Sequence, residues 1–112
     1  MSKHVSSLEF TVDQSTLTVL FTSQEDVLSV ADPDIRVKIF QSILDHIDSG
    51  LEMVVLDLRE LSRVNSAVLG FLVQLSKELE PKNIRFGVIN ACPSIVKVME
   101  LTRLSHFLLD RA

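Results

Sequence analysis

The sequence predicts an α/β domain: a mixed β-sheet of four to five strands with helices packed on it, in the order β-β-α-β-α-β-α. Three observations carry that expectation. Met53-Val54-Val55-Leu56 is a wholly apolar, β-branched run, too short for a helix and without the alternation of a half-wet strand, so it reads as a central strand covered on both faces. Past a polar turn, Val68, Leu72, Leu75 and Leu79 recur at spacings of three and four, widened by Leu69 and Val73. Gln74, Lys77 and Glu78 fall on the polar side, which makes this an amphipathic helix packed on the sheet. Strand-like and helix-like segments then keep alternating, and helix-linked strands of one sheet run parallel with a right-handed crossover.

Taken in order, Leu8, Phe10 and Val12 alternate with polar neighbours, and Leu17, Val19 and Phe21 resume the alternation after Asp13-Gln14-Ser15. This predicts a hairpin with one wet face. Residues 22–31 form a polar loop around Val27-Leu28, which either extends the second strand or lies over the sheet. Asp32-Pro33 starts a helix, with Asp as N-cap and Pro at the first helical position. Ile35, Ile39, Ile43 and Ile47 form its buried stripe with Phe40 and Leu44, and Ser49-Gly50 ends it, Gly being favoured at the C′ position. After the central strand and its helix, Pro81-Lys82-Asn83 is a stop and residues 84–89 make a further strand. Cys92-Pro93-Ser94 opens a third helix with Ile95, Val98, Met99 and Leu101 or Thr102 inward. Residues 106–109 read as a short edge strand or a terminal helical turn.

A chain of 112 residues is one domain, 1–112, because two halves would each be too small to bury a core. A hydrophobic fraction of 46% and a mean hydropathy of +0.30 predict a well-buried core. No apolar run approaches the ~20 residues of a membrane helix, and Met1-Ser2-Lys3-His4 opens no signal peptide, so no membrane insertion and a cytoplasmic location are expected. The single Cys92 fits a reducing compartment. A net charge of −4, with neither Trp nor Tyr, argues against nucleic acid, whose recognition concentrates Lys, Arg and stacking rings.

Catalytic chemistry finds little purchase. His4, His46 and His106 are scattered, so no triad and no metal-ligand set is suggested, and they read as solvated surface groups. Gly50, Gly70 and Gly87 are not arranged to cradle a phosphate, and no cofactor is implied. Asp57 closes the central strand where catalytic acids often sit, although a lone carboxylate there is more often a loop or cap partner. Cys92 near a helix start has a route to a lowered pKa, and its plainer reading is a small half-buried residue.

Asn65 and Ser66 stand at the start of the amphipathic helix, where side-chain oxygens accept from free N–H groups and the dipole favours an anion. The strand, the Leu61-x-x-Val64 step and Asn65-Ser66-Ala67-Val68-Leu69-Gly70 resemble the segment of STAS domains, the anti-sigma factor antagonists, whose usual form is Asp-Ser-Ser-Gly-Leu-Gly. The likeness extends as a pattern over residues 17–109. Asn65 stands for Asp, Ala67 for the second Ser and Val68 for Gly. The resemblance implies the STAS fold, no enzymatic activity and regulatory phosphorylation of Ser66, which local sequence alone reads as a helix cap. It also implies two partners: a serine kinase that doubles as anti-sigma factor, bound by the unphosphorylated form, and a metal-dependent serine phosphatase. Partner contacts are expected from Arg63, Asn65, Ser66, Ala67 and Val68, with the 22–31 loop beside them, and Arg59 and Arg63 are candidates to hold the phosphate. The alternative within the same resemblance is a constitutive docking subunit of a transport system, of the lipid-transport ABC or anion-transporter type.

Overall fold

Alternation in the first two strands produces the hairpin expected of it. In the computed structural model, which describes residues 8–22, 32–47 and 50–109, β1 (Leu8–Asp13) pairs antiparallel with β2 (Thr16–Phe21), Leu8 opposite Phe21 and Asp13 opposite Thr16. Gln14, at φ 56°, makes the reversal. β3 (Met53–Asp57) lies parallel to β2, and β4 (Arg85–Ile89) parallel to β3, giving the order β1-β2-β3-β4. The connections from β2 to β3 and from β3 to β4 run through α1 (Pro33–Asp45) and α2 (Ser66–Leu79), and α3 (Pro93–Leu101) follows β4.

The register places Leu17, Val54 and Phe86 in one row and Val19, Leu56 and Val88 in the next, all on the same face. With Ile39 and Ile43 of α1, Phe71, Leu72 and Leu75 of α2, and Ile95 and Met99 of α3, they form one apolar cluster. Phe40 meets Phe71 edge to face at 5.5 Å, so α1 and α2 also grip each other. Val55 and Asp57 point to the opposite face and are buried too, which is why the β3 sequence lacks alternation.

Of the two readings of residues 106–109 the terminal turn is the one observed, and no fifth strand forms among the described residues. A 3₁₀ turn (Ser105–Phe107) delivers Leu108 to a single parallel bridge with Val88, and the Leu109 N–H donates to the Val88 carbonyl at 2.9 Å. A Cβ on Gly87 would overlap the Leu109 side chain, so the bare glycine is what lets this segment close over β4. Gly87→Ala should therefore push Leu109 off the sheet. Because the displaced side chain is exposed, the expected global change is within about 1 kcal/mol, while the Leu109 amide exchanges faster. Unchanged exchange at Leu109 would show that the segment does not depend on this contact.

Asp32 caps α1 as expected, its Oδ1 accepting from the Asp34 N–H at 2.9 Å with Pro33 in the first turn. The helix does not run to Ser49-Gly50. It ends at Asp45, because the His46 N–H turns back to the Ile43 and Leu44 carbonyls and its Nδ1 donates to the Ser42 carbonyl at 2.8 Å, satisfying acceptors of the last turn without a glycine. The His46 ring also meets Phe10 edge-on, so it is not merely solvated. Ser49 lies outside the described residues.

The ends of the other helices use left-handed residues that are not glycine. Asn83 (φ 60°) and Arg103 (φ 64°) let Ile84 and Leu104 donate back to Leu79 and Met99, at 3.2 and 2.7 Å. That second reversal corrects the inward set expected of α3. Leu101 is 73% exposed, the Thr102 hydroxyl donates to the Val98 carbonyl, and Leu104 packs on the core in their stead.

Candidate functional site

Parallel pairing of β2, β3 and β4 brings their carboxyl ends to one edge of the domain, and there α2 and α3 begin. The connection from β3 to α2, residues 58–65, is anchored from below by Leu58 and Leu61, both buried. The Leu58 N–H donates to the Ile89 carbonyl and the Leu61 N–H to the Leu58 carbonyl, each at 3.0 Å. Polar residues between these anchors are thereby held at the surface.

Asp57 is the electrostatic centre of this end, 1% exposed. Its Oδ1 accepts from the Arg59 backbone N–H at 3.1 Å and from Asn90 Nδ2 at 3.0 Å, and its Oδ2 accepts from Arg59 Nε at 3.0 Å and a terminal guanidinium nitrogen at 2.6 Å. Burial pushes the carboxyl pKa up. The hydrogen bonds and charge of Arg59, with the Asn90 amide, outweigh it and hold the group below the ordinary Asp value. Asn90 reaches the carboxylate from a left-handed backbone (φ 61°), so one buried group ties the connection after β3 to the connection after β4. Cys92 adds a weaker tie, its Sγ 3.6 Å from the Ser62 carbonyl. Asp57 is thus a loop partner, and Arg59 is engaged by Asp57 and not set apart for a phosphate.

Asn65 is the N-cap of α2: with φ −114° and ψ 178°, its Oδ1 accepts from the Val68 N–H at 2.8 Å. Ser66 is therefore the first helical residue and exposed, and the cap role that local sequence suggested for it belongs to Asn65. Arg63 is exposed and Ala67 half-buried against the core. Val68 is 2% exposed, since the stripe it opens with Leu72 and Leu75 faces the sheet, so its side chain is core and not contact surface. Of residues 22–31 only Thr22 lies within the described residues. It leaves β2 at this same end, where that loop was expected to lie.

The cap assignment has a measurable consequence. Asn65→Ala should cost about 1 kcal/mol, while Ser66→Ala should change stability by no more than a few tenths, read as shifts in denaturant midpoint at unchanged slope. Reversed magnitudes would return the cap to Ser66. Asn90 was not singled out from sequence, and the available signal was an Asn just past a strand end, a residue that tolerates the left-handed conformation. Among the described residues no group of His, Cys, Asp and Glu is placed to hold a metal, and no helix is long and apolar enough to cross a membrane.

The comparisons agree with this geometry. The unphosphorylated form of SpoIIAA, the anti-sigma factor antagonist of Bacillus, superposes with a TM-score of 0.71 at 22% identity, over 94% of this chain and 88% of that one. An anti-sigma factor antagonist from Mycobacterium paratuberculosis gives 0.68 at 19% identity, over 96% and 87%. The murine Slc26a9 anion transporter gives 0.64 at 15% identity, over 88% of this chain but 17% of the transporter. At these identities the likeness is one of fold. No curated protein matches the sequence. The STAS domain family model matches residues 9–111, nearly the whole of the four-stranded sheet and its helices, and the chain belongs to the STAS domain family.

Proposed function

We propose that this STAS domain is a partner-switching regulator of the anti-sigma factor antagonist kind. Unphosphorylated, it binds a serine kinase that doubles as anti-sigma factor. Phosphorylation of Ser66 releases it, and a metal-dependent serine phosphatase restores binding. It works in the cytoplasm by competing for a partner and turns over no substrate of its own.

The observation that carries this reading is the division of labour at the start of α2. Asn65 supplies the cap, which leaves the exposed Ser66 hydroxyl at the first helical position without a capping duty. A phosphate there brings about −1.5 to −2 charges to the positive end of the helix dipole, where the fold tolerates it. In a complex the same charges must be desolvated or meet partner carboxylates, so binding is lost while the fold persists. Arg63 is placed on the same exposed turn, as a contact to partner or phosphate.

A constitutive docking subunit of a transport system is the second reading. The shared fold with the Slc26a9 transporter supports it, as do Asn65, Ala67 and Val68 where STAS switches commonly carry Asp, Ser and Gly. The two separate cleanly. Incubation with the cognate kinase and ATP is expected to add one phosphate, at Ser66, and the product should lose affinity for that kinase. Intact-mass and peptide analysis of the protein from its native host under several growth conditions should find the same modification. A chain that is never phosphorylated there, and that co-purifies with a permease, would establish the docking subunit.

A further inference from the structure

The end of the sheet opposite Ser66 holds an open, solvent-facing groove of about 590 Å³ between the end of α2, the start of β4 and the Ser105–Phe107 turn. That volume suits a small organic molecule. Phe86 and Phe107, edge to face at 5.2 Å, give it an aromatic wall with Ile84 beside them. Arg85, which leaves β4 on the face opposite Phe86, and His106 also line it, the His106 ring tilted toward Phe107 at 4.3 Å. Among the described residues neither side chain has a hydrogen-bond or ion-pair partner, whereas Arg59 at the other end is fully engaged.

The β4 backbone adds a donor. Arg85 donates to Glu52 and Ile89 accepts from Leu58, so residues 85, 87 and 89 turn their polar groups toward β3. In a parallel ladder Phe86 and Val88 then face the free edge. Val88 is taken by Leu109, and the Phe86 N–H and carbonyl are both left facing the free edge on which the groove lies. The occupant is not an added strand. Extending the register of the Val88–Leu108 bridge puts residue 106 opposite Phe86, so the Ser105–Phe107 turn stands in the lane an incoming strand requires. Glu80 also lines the groove and disfavours a polyanion, while Arg85, His106 and the Phe86 N–H favour a single negative group.

We infer that this groove binds a compact monocarboxylate with a flat apolar body, its carboxylate between Arg85 and His106 and its body against Phe86 and Phe107. The site is separate from the Ser66 surface, since the fourteen residues of α2 between them span about 21 Å.

The test is a titration of the isotope-labelled protein with phenylacetate, phenylacetamide and inorganic phosphate, following the amides of Asn83, Phe86, His106 and Leu109. Phenylacetate should give saturable shifts at these amides, in the millimolar range or tighter, and phosphate none. The neutral amide should bind at least about tenfold more weakly, the worth of a charge-assisted hydrogen bond. Arg85 is exposed, so Arg85→Gln should fold normally, weaken phenylacetate about tenfold and leave phenylacetamide unchanged. Shifts that do not saturate, equal affinity for acid and amide, saturable phosphate binding at the same amides, or an Arg85→Gln variant with undiminished phenylacetate affinity would each overturn the assignment.

Discussion

Ser66→Asp should bind the partner kinase about a hundredfold more weakly than Ser66→Ala, because an unpaired charge at a docked surface costs several kcal/mol. Ser66→Ala should bind in every growth condition, since it keeps a small side chain on the exposed turn and cannot be modified. Stability separates this loss from misfolding. A carboxylate at the first position of α2 meets the positive end of the helix dipole, so Ser66→Asp should melt no lower than Ser66→Ala and up to about 1 kcal/mol higher at low salt. Melting curves and affinity measurements on the two variants should move in opposite directions. If both capture the same partners equally well, the phosphoswitch is wrong and the docking-subunit reading stands.

Asp57→Asn should destabilise the domain by about 2 kcal/mol at neutral pH. The figure is that small because Arg59, 57% exposed, returns to water when its partner is lost. The substitution keeps the shape but turns an amide N–H₂ toward donors from Arg59 and Asn90, leaving at most one oxygen to serve them. The pH dependence identifies the cause. Because the folded-state pKa lies below the ordinary value, the carboxylate stabilises the native state fully above about pH 4 and loses that contribution as pH falls through the folded value. The wild-type stability curve should therefore drop more steeply in acid than that of Asp57→Asn, and the two should converge. Parallel curves would mean that Asp57 does not titrate with folding. Asn90→Ala should loosen the connection after β4 and make the acid drop shallower than in the wild type, though less so than Asp57→Asn, because the Asn90 amide is one of the groups that hold the Asp57 carboxyl low.

Much of the architecture was legible because the relevant signals are local and periodic. The apolar run at β3, the stripe of α2 and the alternation of the hairpin each need only a few neighbouring residues, and all three appear where expected. Asp32-Pro33 marked a helix start through chemistry confined to one turn. The helix ends were harder to read. Among the described residues the left-handed positions are Gln14, Asn83, Asn90 and Arg103, none of them glycine. A search for glycine therefore placed the end of α1 too late, where His46 had already satisfied the last turn from its own ring.

The sequence by itself determined which segments are strands and helices, the family hexad from Asn65 to Gly70, and the presence of Ser66 at the start of α2. Only the tertiary structure decided what the polar residues around it do. Asp57 and Asn90 are 33 residues apart, and no local pattern says that one caps the other's loop. Their bond exists because β3 and β4 are adjacent and parallel, which brings both strand ends to the same edge. The same Asp57 carboxylate also holds the exposed Arg59 side chain against the loop. Asn65, oriented by its own extended backbone, takes the cap and leaves Ser66 facing water. Side-chain periodicity is set along the chain, but hydrogen-bond partners of a buried carboxylate are set across it, because satisfying that charge depends on which groups the fold brings within about 3 Å.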